Sequence, residues 1–237
     1  EKGFLCGKIL GDLGADVIKV EPPGGDSARR IGPFYHDIPH PEKSLYWFAF
    51  NNNKRSITLN IETVTGKELF KRLVKTANFV IESFPPGYME KLGLGYDQLS
   101  KVNPSLVMTS ITPFGQTGPY SHYRASDIEI MAMGGAMSLA GDPNRAPVRV
   151  SFHQSYLWAG LFAAAGTLIA HYHQAVTGEG QHVDASAQAS IIPLLANAPI
   201  MWEMSKQRVK RAGYFIGGRS LTGAKLRAIY PCKDGYV

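Results

Sequence analysis

Phe4-Leu5-Cys6-Gly7-Lys8-Ile9-Leu10-Gly11-Asp12-Leu13-Gly14-Ala15-Asp16-Val17-Ile18-Lys19-Val20-Glu21 is the stretch on which the fold turns. Its apolar residues Phe4, Ile9, Leu10 and Leu13 follow helical spacing, Gly14 suits the end of a helix, and Ala15 to Glu21 alternates as a short strand. The same alternation continues along the chain. Ser56-Ile57-Thr58-Leu59-Asn60-Ile61, Asn78-Phe79-Val80-Ile81-Glu82-Ser83, Leu106-Val107-Met108-Thr109-Ser110-Ile111 and Gln181-His182-Val183-Asp184-Ala185 read as strands. After the first of these, Thr63 or Thr65 caps a helix whose inward positions are Leu69, Phe70, Leu73, Val74 and Ala77. Strands and helices in this order imply an α/β fold with parallel pairing through right-handed crossovers.

The intervening segments complete the outline. Pro22-Pro23-Gly24-Gly25 opens a long loop to about Leu45, and loops of that length are usually functional or disordered. Tyr88 to Leu92 and Tyr96 to Val102 read as short helical pieces, Thr112 to Arg124 as turns. Three helices are expected over Ser126 to Leu139, His153 to Val176 and Gln188 to Lys206, with Gly134-Gly135 inside the first for close packing. A Gly-rich basic loop leads to Lys225 to Tyr230, and Asp234-Gly235-Tyr236-Val237 reads as a turn entering a strand. The chain opens on Glu1 with a helix already under way, so a piece of a longer polypeptide is expected.

Composition narrows the chemistry. The 237 residues hold 25 Lys+Arg against 19 Asp+Glu, 44% hydrophobic residues and two cysteines. A chain of this size buries roughly 70–75% of its unfolded surface, so its core needs neither metal nor disulfide. Cys6 and Cys232 lie at opposite ends with no CxxC, which argues against zinc and fits a reducing, cytoplasmic setting. A net charge of +6 tolerates an anionic small molecule but is too diffuse to signal nucleic acid. The longest apolar run, Leu157 to Ala170, falls short of the roughly 18 residues of a membrane span and reads as a buried helix.

GxxxxGK[ST], GxGxxG, HExxH and GxSxG are all absent. His171 and His173 sit on different helix faces and read as exposed helix-end residues, not metal ligands. Lys206, Arg208, Lys210 and Arg211 lack the aromatic interleaving of a nucleic-acid platform and read as a solvated helix end.

Five segments together resemble the family III CoA-transferases, the group of formyl-CoA transferase, carnitine CoA-transferase and α-methylacyl-CoA racemase (CaiB/BaiF-like proteins). They are Leu13 to Pro22, Asn53 to Ile57, Gly115-Gln116-Thr117-Gly118-Pro119, Asp127 to Gly135, and Thr177-Gly178-Glu179-Gly180-Gln181-His182-Val183-Asp184. The resemblance implies a parallel nucleotide-binding-like sheet flanked by helices, in subunits that interlock as a dimer. Residues 1–224 would then form the large domain without its first strand, and residues 225–237 the start of the connection into a small domain. It further implies coenzyme A as a substrate, not a resident cofactor, moved between an acyl-CoA thioester and a carboxylic acid. Family position places coenzyme A contacts at Leu59 to Glu62 (Leu59 and Asn60 foremost), Ser83-Phe84-Pro85, Lys91, and Arg124 to Ser126. Lys91 and Arg124 have the charge that phosphates require, and Phe84 has a ring for adenine. Pro22 and Glu62 depart from formyl-CoA transferase, which has arginine and lysine there.

The family's transferases use an aspartate as nucleophile, since a carboxylate is ionised at pH 7 and its acyl adducts stay reactive. Its place here falls within Gln154-Ser155-Tyr156, with Ser155 the nearest match, and no carboxylate lies between Arg145 and His173. Three explanations stand. A partner chain supplies the aspartate, an arrangement resembling the two-chain benzylsuccinate CoA-transferases; Ser155 or Asp127 takes the role; or the chain binds acyl-CoA without transferring it. Ser155 would need a base, and His153 faces elsewhere on a helix. Asp127 opens a helix, where the dipole favours it. An acyl-CoA racemase is a further alternative, but Ala125-Ser126-Asp127 stands where the racemases resemble Gly-His-Asp.

Overall fold

A computed structural model describes residues 2–195, 198–213 and 229–236. The chain divides into two compact units, one of residues 1–123 and 156–186, the other of residues 124–155 and 187–237.

The first unit carries the parallel strands. Helix α1 (Phe4–Asp12) ends at Leu13, and Gly14 follows with φ +102°, a left-handed backbone that turns the chain into β1 (Val17–Glu21). The long loop contains 3-10 turns at Ser27–Arg30 and Tyr35–Asp37 and runs into a helix absent from the sequence reading, α2 (Leu45–Asn51). Ser44 caps it, its Oγ accepting from Trp47 N–H at 3.0 Å. Strand β2 (Lys54–Thr58) starts two residues earlier than expected and pairs parallel with β1. Lys54 turns inward, its Nζ donating to Phe4 O, Phe50 O and Asn51 Oδ1 at 2.7–2.9 Å, so one ammonium joins α1 to α2.

Helix α3 (Val64–Val74) is capped by Thr63 and buries Phe70 and Val74, while Leu69 of the expected inward set is exposed. Strand β3 (Phe79–Glu82), short helices α4 (Tyr88–Lys91) and α5 (Tyr96–Leu99), and β4 (Val107–Thr112) follow. Helix α7 (Ser155–Thr177) leads to β5 (His182–Ser186), and the sheet order is β3-β4-β5, all parallel. Parallel pairing is therefore present, in two sheets. One face of the β3-β4-β5 sheet meets Phe70, Val74, Met89, Leu94 and Leu99 through Met108. The other meets α7, where Thr109 and Thr167 share a hydroxyl hydrogen bond of 2.7 Å.

The run expected to be a buried helix is buried on one face only. Ala159, Ala163, Ala164, Thr167 and Ala170 face inward, whereas Leu161, Phe162, Leu168, Ile169, Tyr172 and Val176 are exposed. Small residues let α7 approach closely, and the larger apolar residues fall on the other side. His171 and His173 are half-buried, not exposed, and bond to Gln174 and Thr177.

In the second unit, the single helix expected over residues 126–139 is broken. Helix α6 (Asp127–Met133) stops at Gly134, Gly135 takes φ +87°, and a 3-10 turn occupies Ala136–Leu139. Gly134 does serve packing, since a Cβ there would come within 2.7 Å of Ile191. The helix expected over residues 188–206 is likewise divided, into α8 (Ala187–Ser190), a 3-10 turn at Ile192–Leu195 and α9 (Ala198–Ser205). Arg211 is not solvated as expected: it donates to the carbonyls of Asp142 and Arg145. Strands β6 (Pro231–Cys232) and β7 (Gly235–Tyr236) form a hairpin. The boundary at 224/225 and most of the segment Lys225 to Tyr230 lie outside the described residues.

Candidate functional site

In open α/β sheets ligands bind beyond the carboxyl ends of the strands. Five of the six residues singled out for coenzyme A lie in segments that leave those ends. Leu59 follows β2, its N–H donating to Glu21 O at 2.8 Å, and Asn60 follows it into a tight turn. Asn60 Oδ1 accepts from Glu62 N–H at 3.0 Å, and its carbonyl accepts from Thr63 Oγ1 at 2.9 Å. Gly66 makes this turn sterically feasible, because a Cβ there would lie 1.7 Å from Asn60 O.

Ser83 and Phe84 leave β3. Glu82 Oε2 accepts from Phe84 N–H at 2.7 Å, and Pro85-Pro86-Gly87 turns the chain into α4. The Phe84 ring stacks on Tyr88, centroids 4.7 Å apart, and Tyr88 Oη donates to Glu62 at 2.7 Å. Tyr88 therefore ties the segment after β2 to the segment after β3, and the Glu62 carboxylate raises the phenol's pKa. Lys91 closes α4 exposed, its ammonium making no hydrogen bond or ion pair among the described residues. Arg124, in the second unit, is exposed immediately before α6.

Glu21, at the end of β1, anchors the long loop. It bonds Arg29 at 2.7 and 2.8 Å, Asp26 N–H at 2.9 Å and Ser56. The Arg29 guanidinium lies 4.0 Å over Trp47. Burial opposes the Glu21 charge, but these bonds outweigh it and hold the carboxyl at a pKa of about 2. Cys6 is buried, and desolvation pushes its thiol up to about 12, which suits inertness.

The two candidate nucleophiles meet in the second unit. Asp127 is buried, and its Oδ1 accepts from both Ser155 N–H and Ser155 Oγ–H at 2.8 Å; its Oδ2 faces Arg149 at 3.4 Å. Asp127 thus serves Ser155, not its own helix, which is capped by Ser126 with Glu129. Ser155 has no solvent exposure, and its hydroxyl proton points at a carboxylate. His153, weighed as a base, lies exposed in the segment before α7.

Sequence reading did not find Tyr88, Glu82 or the Ser155–Asp127 pair. Glu82 left a trace, as an acidic residue closing the apolar run Phe79-Val80-Ile81. A 28-residue separation hides the pair.

Residues 2–237 match the family model described as CoA-transferase family III. This chain belongs to that family. It is 39% identical over its whole length to succinyl-CoA:(R)-benzylsuccinate CoA-transferase subunit BbsE of Thauera aromatica. It is 36% identical, over 98% of its length, to succinyl-CoA–D-citramalate CoA-transferase of Chloroflexus aurantiacus. It spans 56% of each of these relatives. The crystal structure of a CAIB/BAIF family protein from Brucella suis superposes with a TM-score of 0.87 at 36% identity, over 99% of this chain and 61% of that one. Family membership accords with the parallel α/β architecture. Among the described residues no helix is long and apolar enough to cross a membrane, and no cluster of His, Cys, Asp or Glu suits a metal ion.

Proposed function

We propose that the protein moves coenzyme A between an acyl-CoA thioester and a carboxylic acid, and that this chain supplies an acyl-CoA-binding surface while a second polypeptide supplies the nucleophilic carboxylate. The observation that carries this reading is the burial of Ser155 with its hydroxyl bonded to Asp127. A nucleophile must reach the thioester carbon, and Ser155 is fully buried while Asp127 is only 5% exposed. No carboxylate between Arg145 and His173 takes their place. That one relative is named as a subunit supports a two-chain enzyme.

Coenzyme A presents a diphosphate, a ribose phosphate and an adenine. The exposed ammonium of Lys91 suits a phosphate and Phe84 suits the base, with Leu59, Asn60 and Ser83 in the adjoining segments; Arg124, on the other unit, is proposed as a phosphate contact from its family position alone. A dimer and a cytoplasmic setting fit this reading. The racemase reading has less support, because Ser126 cannot carry the proton that α-carbon chemistry requires.

The test is exchange of coenzyme A from succinyl-CoA, the donor named in both relatives, to a dicarboxylic acid. The full-length protein is assayed alone and with the product of any neighbouring paralogous gene, then trapped with hydroxylamine and mapped by peptide mass. Exchange only with the second chain, and label only on it, is expected. A labelled carboxylate on this chain overturns the two-chain reading, and coenzyme A binding without exchange in any pairing leaves the chain a binding protein.

A further inference from the structure

Parallel register places Glu82 beside Ser110, and Ser110 beside Asp184, so the three side chains project from one face of the sheet. Glu82 is only 9% exposed. A carboxyl so placed is costly unless its hydrogen bonds are made, and an aliphatic residue would fill a strand end without that cost. Here one such bond is made: Oε2 takes the Phe84 N–H at 2.7 Å. Ser110 Oγ lies 2.9 Å from His182 Nε2, and the imidazole stacks on Tyr96 with centroids 5.4 Å apart. Ser110 flanks Glu82 on the face from which it projects.

Resting on the proposed coenzyme A site, we propose that Glu82 is a positioning residue: it fixes the Phe84 main chain so that the ring stays stacked on Tyr88 and offers its outer face to the planar base of the nucleotide. Phe84 is 39% exposed, which leaves that face open. Glu82 itself touches no ligand.

The experiment is a double-mutant cycle on the full-length protein, with coenzyme A as the probe in calorimetry. Glu82→Ala removes the acceptor and is expected to raise Kd about tenfold, the scale of one charge-assisted hydrogen bond. Glu82→Gln keeps an acceptor oxygen and is expected to stay within about twofold. Phe84→Ala is expected to raise Kd similarly, and Glu82→Ala added to it to cost nothing more. Additive losses, or a Gln variant as poor as Ala, overturn the positioning role. A Phe84→Ala variant that binds as wild type overturns the nucleotide-site reading and this proposal with it; a normal Glu82→Ala beside a weakened Phe84→Ala overturns this proposal alone. Should Glu82→Ala not fold, Glu82→Asp, whose shorter side chain draws the acceptor away from the Phe84 N–H, enters the same cycle, where coupling to Phe84 supports the role and additivity overturns it.

Discussion

Single residues here act through the bonds they complete. Glu21 has a folded pKa of about 2 against an ordinary 4.5, so it binds fewer protons folded than unfolded between those values. Its contribution is fully present above pH 4.5 and is lost as pH falls through about 2. It is worth on the order of 3 kcal/mol. Glu21→Gln should flatten the acid limb of a stability–pH curve read by circular dichroism, and an unchanged limb would show that the Arg29 and Ser56 bonds do not favour the charge. Asp127→Ala strands a buried hydroxyl, a buried N–H and the Arg149 guanidinium, and should cost about 3–5 kcal/mol in chemical denaturation. Ser155→Ala should leave coenzyme A exchange by the complete enzyme within about twofold of wild type, the scale of a minor packing change; a hundredfold loss would make Ser155 catalytic. Position within the family resemblance marked Ser155 and Asp127 as candidates. Their mutual bond was not legible, since nothing local in sequence joins positions 28 apart.

At the scale of elements, the helix–glycine–strand unit was legible because spacing, turn residue and alternation are local. Helix α2 was not, since Trp47 and Phe50 carry no polar alternation and the Ser44 cap is visible only with its donor. The break at Gly134-Gly135 was also missed: glycine is tolerated in a helix, and only the contact with Ile191 shows why Gly134 is needed and only the φ of +87° why Gly135 is. The turn carrying Leu59 and Asn60 depends on the first turn of α3 through Gly66. Gly66→Ala should destabilise by about 1–3 kcal/mol through overpacking against Asn60 O. It should also weaken coenzyme A binding, checked by denaturant titration beside calorimetry. Unaltered binding in a folded Gly66→Ala protein would separate this turn from the site.

For the whole molecule, charge and apolar surface govern behaviour. The stripe of Leu161, Phe162, Leu168, Ile169, Tyr172 and Val176 is exposed along α7. These 237 residues expressed alone should therefore bind a hydrophobic dye and self-associate. Ile169→Lys should reduce both without lowering the melting temperature, and unchanged association would place the cause elsewhere. The amino-acid sequence determined the α/β class, the parallel pairing and the family, because periodicity, turn chemistry and ordered motifs are properties of the chain read in line. Tertiary structure alone decided that Glu82 reaches Phe84, that Tyr88 joins two strand ends, and that Ser155 is closed off by Asp127. The physical reason is the same in each case: a hydrogen bond between side chains is set by strand register and helix packing, and these are fixed only when distant segments meet.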